Sequence, residues 1–225
     1  GDVVREIILS TACVPAKLAS VVRLSKHGAL DVSKIKTSLS EYYELEWQAL
    51  LSKSGISASE LEKVFAFLVY SKRHLSITEL AGYSSVSIEV LHKILPDSGF
   101  VRTDEFELIS PSSNTHRNFL NEKLLASRNY VIGEFVEALV VDATSPDAVQ
   151  LLPSYYQELG RDNDIVAVLT PANLDSYLGE TQSLTALRRR TELGFNAAIG
   201  CNMEIEAYRF ALQTSVVRSL ELSDE

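Results

Sequence analysis

Phosphate chemistry needs a glycine-rich loop that wraps backbone N–H groups around the phosphates and closes on Gly-Lys-Ser/Thr. No such run, and no glycine triplet ahead of a helical pattern, occurs in these 225 residues. Metal ligation needs His, Cys or carboxylate ligands at short spacing. His27, His74, His92 and His116 stand singly, so they are expected as surface or packing residues and no metal is expected. A serine or cysteine nucleophile needs a base and an oxyanion donor, and no nucleophile-elbow sequence is present. The acid pairs Glu44/Glu46 and Glu204/Glu206 are two apart in helical patterns, point in different directions and read as solubilising charges. No catalytic residue is assigned, and the chain is not expected to be an enzyme by itself.

The bulk properties fit a packed module. Apolar residues make up 46 % of the chain and charged residues 23 %, the balance of a globular protein. Thirty acidic residues against 21 basic ones give a net charge of -9, the wrong sign for a surface that neutralises nucleic-acid phosphates. The longest basic run, Arg188 to Arg190, lies in a helical pattern and reads as a solvated face. Cys13 and Cys201 sit among small or apolar residues and are expected as buried free thiols in a reducing compartment. No apolar run approaches the ~20 residues of a membrane span and no signal peptide opens the chain, so a cytoplasmic location without membrane contact is expected. The chain starts on Gly1 and is expected to be a piece of a longer polypeptide.

Positioning elements are mainly helical. Residues 3–25 carry a helical rhythm broken at Val14-Pro15, and a further helix is expected over residues 33–53, ended by Gly55. Ser57/Glu60 and Ser76/Glu79 have capping-box spacing, each ahead of an apolar stripe, and a third stripe runs through Ile88, Leu91, Ile94 and Leu95. A turn is expected at residues 82–85. Strand composition then appears at residues 100–103 and 106–109, with Asp104-Glu105 as a tight turn. Three short helices followed by a hairpin predict a winged helix. Helices are expected over residues 114–125 and 130–141, and Ser145-Pro146 and Thr170-Pro171 mark two later helix starts. Small residues around Gly194, Ala197 and Ala207 resemble a tetratricopeptide hairpin. The expected organisation is a helical domain at 1–56, a winged helix at 57–128 and a helical repeat-like region at 129–225.

A winged helix raises the question of DNA. Its reading helix offers only His92 and Lys93 beside Glu89, and its wing sets Asp104, Glu105 and Glu107 against Arg102. Base readers are normally Arg, Lys, Asn or Gln, so packing against protein is the favoured expectation over nucleic acid.

Three segments, in order, resemble the region that follows the ATPase core in STAND-type NTPases, the NACHT and NLR-like signalling proteins of innate immunity and phage defence. Cys13-Val14-Pro15-Ala16-Lys17-Leu18-Ala19 is similar to the family's Gly-x-Pro helix start, with Cys13 at the glycine position. Ser113 to Leu120 resembles the family's His-x-Ser-Phe-Arg-Asp-Phe-Leu helix: Arg117, Phe119 and Leu120 agree, and Ser113 stands at the histidine position. Leu152-Pro153-Ser154-Tyr155-Tyr156 resembles the helix pair that often follows such winged helices. The resemblance implies that Pro15 packs near a nucleotide base, that ATP or ADP is held by a core outside this chain, and that partners are proteins. It implies a switch in which the winged helix packs on that core at rest and swings away on activation. Two other readings stay open: a free-standing winged-helix transcription regulator with a helical dimerisation or ligand domain, and a tetratricopeptide-like adaptor that binds a peptide.

Overall fold

The computed structural model describes residues 14–26 and 38–223. Among them are twelve α-helices and three short strands, so the chain is mainly helical with one small antiparallel sheet. It divides into two compact units, Gly1–Val131 and Ile132–Glu225. Cys13 and His27 lie outside the described residues, as do the helical rhythm at residues 3–13 and the expected helix start at Ser33.

In the first unit, α1 (Pro15–Lys26) begins with proline at its first position, where the missing N–H is not needed. Helix α2 (Leu39–Ser54) begins at a capping box: Ser38 Oγ accepts from the Glu41 amide while the Glu41 carboxylate accepts from the Ser38 amide. It ends at Gly55, whose φ of 75° suits glycine alone at little cost. Val21 and Leu24 of α1 bury against Tyr42 and Ala49 of α2.

Both capping boxes anticipated downstream are present, Ser57/Glu60 at α3 (Ala58–Tyr70) and Ser76/Glu79 at α4 (Ile77–Ser84). Residues 64–70 of α3 are buried all round, which makes it the unit's central helix. Strand β1 (Leu75–Ser76) directly precedes α4; so short a strand leaves no alternation to read in the sequence. Helix α4 runs through Gly82 to Ser84 where a turn was expected, because Ser85 alone reverses the chain with a φ of 61°. Helix α5 (Ile88–Ser98) is capped by Ser87 and ends at Gly99.

Strands β2 (Val101–Thr103) and β3 (Leu108–Pro111) form the hairpin, and β1 joins the free edge of β3, pairing Leu75 with Ile109. The connecting turn spans residues 104–107 rather than 104–105, and Phe106 is in it rather than in a strand. Asp104 explains the wider turn: its Oδ1 accepts from the amides of both Phe106 and Leu108 at 2.9 Å. The order helix, strand, helix, helix, strand, strand is that of a winged helix. Helix α6 (Asn114–Lys123) follows, and α2 packs against both α5 and α6. The helix expected in a separate segment at 1–56 thus lies within the same unit as the winged helix. A 3-10 turn (Leu125–Ser127) leads into α7 (Arg128–Val140), which crosses the boundary between the units.

The second unit contains α8 (Pro146–Glu158), α9 (Asp162–Val168), α10 (Pro171–Thr181), α11 (Leu184–Gly200) and α12 (Glu204–Ser223). Ser145 and Thr170 cap α8 and α10 as their position before proline predicted. Helices α11 and α12 form an antiparallel hairpin: the Phe210 ring fills the space where Gly194 lacks a side chain, Thr214 bonds Thr191 at 2.8 Å and Arg218 pairs with Glu192. The basic run 188–190 is not a solvated face. Arg188 pairs with Glu192 and Glu221, and the buried Arg190 donates to the Gln150 carbonyl and stacks on Tyr177; Arg189 alone of the three is exposed. A guanidinium can serve as packing material when its donors meet carbonyls and its plane meets a ring.

Candidate functional site: the two faces of the winged helix

The inner face of the winged helix is an aromatic cluster. Phe100, fully buried after α5, stacks on Phe119 with ring centres 5.7 Å apart. It meets Tyr43, Trp47, Phe65 and His116 edge-on at 5.6 to 6.1 Å. These residues come from α2, α3 and α6, so one side chain ties three helices together.

His116 lies at the cluster's edge, 8 % exposed and 4.4 Å from the Tyr43 ring. Its Nδ1 is 2.8 Å from Ser113 Oγ, and its Nε2 is buried without a partner among the described residues. Burial, and secondarily the nearby Arg23 cation, push its pKa from 6.5 down to about 4. The neutral imidazole is therefore the form that fits. Ser113 caps α6 and joins a hydroxyl chain through Thr115 to Tyr43. Because the unfolded state binds the proton first, stability is full above the ordinary pKa, falls as pH drops from 6.5 to about 4, and levels off below that. Urea midpoints at about pH 7 and about pH 5 measure this loss, and His116→Phe is expected to shrink the difference between them.

Arg23 and Glu46 form a second buried feature, which corrects the reading of Glu46 as a solubilising charge. Glu46 is 5 % exposed, and its carboxylate receives Nε and Nη2 of Arg23 at 3.0 Å each, while Nη2 also reaches Ser20. A helix-borne acid reads as solvated only until a second helix covers it, and α1 does so here. The Arg23 side chain passes directly over Gly99, where a Cβ would collide with it, and Gly99 has a φ of 68° besides. The backbone conformation favours glycine there, and any larger residue would also have to displace the Arg23 guanidinium from Glu46. Pro15, the expected nucleotide-adjacent residue, is exposed at the start of the same helix.

The outer face carries little positive charge. On α5 the exposed side chains include Ile88, Glu89, His92 and Lys93. Helix α2 packs along α5, leaving a groove of about 320 Å³ lined by Leu50, Lys53, Lys93, Ile94 and Asp97. In the wing Asp104, Glu105 and Glu107 are exposed beside Arg102, and Phe106 projects from the tip at 73 % exposure.

The second unit carries a shallow, open groove of about 400 Å³ lined by Ser154, Gln157, Tyr177, Arg189, Arg190 and Asn196. Sequence reading did not anticipate it, since its wall joins residues from α8, α10 and α11. Among the described residues there is no group of three or more His, Cys, Asp or Glu that could hold a metal ion, and no helix long and apolar enough to cross a membrane. Cys201 is a free, half-buried thiol. Comparison with protein-family models, with curated proteins and with solved structures finds no match to this chain.

Proposed function

We propose that this chain is the regulatory, packing part of a larger cytoplasmic STAND-type signalling NTPase of innate or antiphage defence, with ATP or ADP held by a core outside it. The observation that supports this reading most is the outer face of the winged helix. A DNA-reading helix needs a free, cation-bearing surface, whereas α5 offers one lysine against Glu89, is flanked by α2 and stands beside an acidic wing. Such a face suits contact with protein. In this reading α1, held by the Arg23–Glu46 pair, links the winged helix to the nucleotide-bearing core through Pro15. Movement of that helix is the switch.

Two measurements test it. Fluorescence anisotropy with labelled duplex DNA at low salt is expected to show no binding; binding that weakens steeply with salt would instead establish the transcription-regulator reading. Extending the coding frame upstream of Gly1 is expected to reveal a phosphate-loop domain, and its absence there sinks the NTPase reading. The open groove beside Arg189 favours the adaptor as a second reading, with a carboxylate-bearing peptide as ligand. Peptide retention through the second unit without any nucleotide requirement distinguishes it.

A further inference from the structure

Helix α12 has two apolar faces. One, with Ala207, Phe210 and Val217, is buried. The opposite one runs through Ile205, Tyr208, Leu212, Val216 and Leu220 at spacings of three and four residues, the repeat of a single helical stripe. Exposure along it ranges from 48 % at Leu220 to 84 % at Ile205. Together with Leu222 these side chains present on the order of 800 Å² of surface, the share each partner contributes to a standard protein interface. Exposed apolar patches of that size mark interaction sites.

The stripe is self-complementary. An antiparallel pairing of two copies about a two-fold axis near Leu212 sets Tyr208 against the smaller Val216, and Ile205 beside Ser219 and Leu220. One flank of the stripe carries the exposed Glu204 near the start of α12 and Arg218 near its end. Antiparallel pairing brings like flanks together, so each Glu204 meets an Arg218 across the interface. Parallel pairing about a two-fold puts the two copies of this flank on opposite sides of the seam, where Glu204 and Arg218 do not meet. Arg218 keeps 61 % of its side chain exposed while paired to Glu192, which leaves it able to engage a second carboxylate.

We propose that the outward stripe of α12 is a homodimer interface, filled by the same stripe of a second copy in antiparallel orientation. This rests on the second unit alone and does not depend on the NTPase reading.

Sedimentation velocity on the full chain over a range of concentrations is the test. The chain is expected to sediment as a concentration-dependent dimer. Leu212→Glu, with a helical circular-dichroism spectrum retained, is expected to weaken association by about 100-fold or more, since it places two carboxylates at the two-fold axis. Glu204→Arg is expected to weaken it by about ten-fold, and adding Arg218→Glu to restore it, because only antiparallel pairing couples these positions. Phe106→Glu, at the equally exposed wing tip, serves as the control and leaves the dimer intact. A chain that stays monomeric at all concentrations overturns the proposal. So does a dimer indifferent to Leu212→Glu, or one broken by Phe106→Glu instead.

Discussion

Phe100→Ala is expected to lower the stability of the first unit by about 3–5 kcal/mol, read as a drop in urea midpoint with little change in slope. Phe100 is fully buried and its ring faces five others drawn from α2, α3 and α6. Truncation removes the ring's transfer free energy and opens a void that helices pinned at both ends cannot collapse to fill. The loss is a large fraction of the roughly 5–15 kcal/mol that holds a domain folded. Phe100→Leu keeps most of the volume but forfeits the edge and stacking geometry, and about 1–2 kcal/mol is expected. A loss below about 1 kcal/mol for the alanine variant would show that the cluster is not the centre of this unit.

Glu46→Ala is expected to cost about 2–3 kcal/mol and to loosen α1 specifically. Removing one member of a buried ion pair typically costs ~3–5 kcal/mol because the other is stranded; here Arg23 keeps a quarter of its side chain exposed, so water relieves part of that penalty. Hydrogen exchange is expected to accelerate in α1 before α3, and limited trypsin digestion to cut after Arg23 sooner than in the parent chain. Arg23→Met with Glu46→Leu removes both charges and is expected to recover most of the loss. If the single and double variants lose the same stability, the pair contributes packing rather than charge complementarity. Under the proposed function, Glu46→Ala also frees the element that links the winged helix to its nucleotide-bearing partner, so the loosened state resembles the activated one.

Local signals carried well into the fold. The Ser57/Glu60 and Ser76/Glu79 boxes and the Ser-Pro and Thr-Pro starts report interactions closed within four residues, so nothing distant can override them. The Gly194 and Ala207 spacing likewise marked a close helix crossing, which Phe210 fills. The misread turns were lost to other local competitors, which spacing alone does not rank. The wing turn widened because an Asp104 carboxylate took two amides, and α4 continued past Gly82 because Ser85 absorbed the reversal.

Charge was the least legible property. Glu46 and Arg190 look like surface groups in any helical pattern, and they become buried ones only because Arg23 covers the first and the Gln150 carbonyl and Tyr177 receive the second. The composition of α5 and of the wing, by contrast, could be judged early, because an exposed face needs no partner to define it. The sequence by itself determined the helical class, the caps at Ser57, Ser76, Ser145 and Thr170, the winged-helix order and the weakly basic reading surface, all of which follow from spacing and residue type. Only the tertiary structure decided that α1 and α2 lie in one unit with the winged helix, that His116 is held neutral, and that α12 shows one apolar face to α11 and another to solvent. Those outcomes depend on which surfaces meet across tens of residues, and burial is a property of both surfaces together.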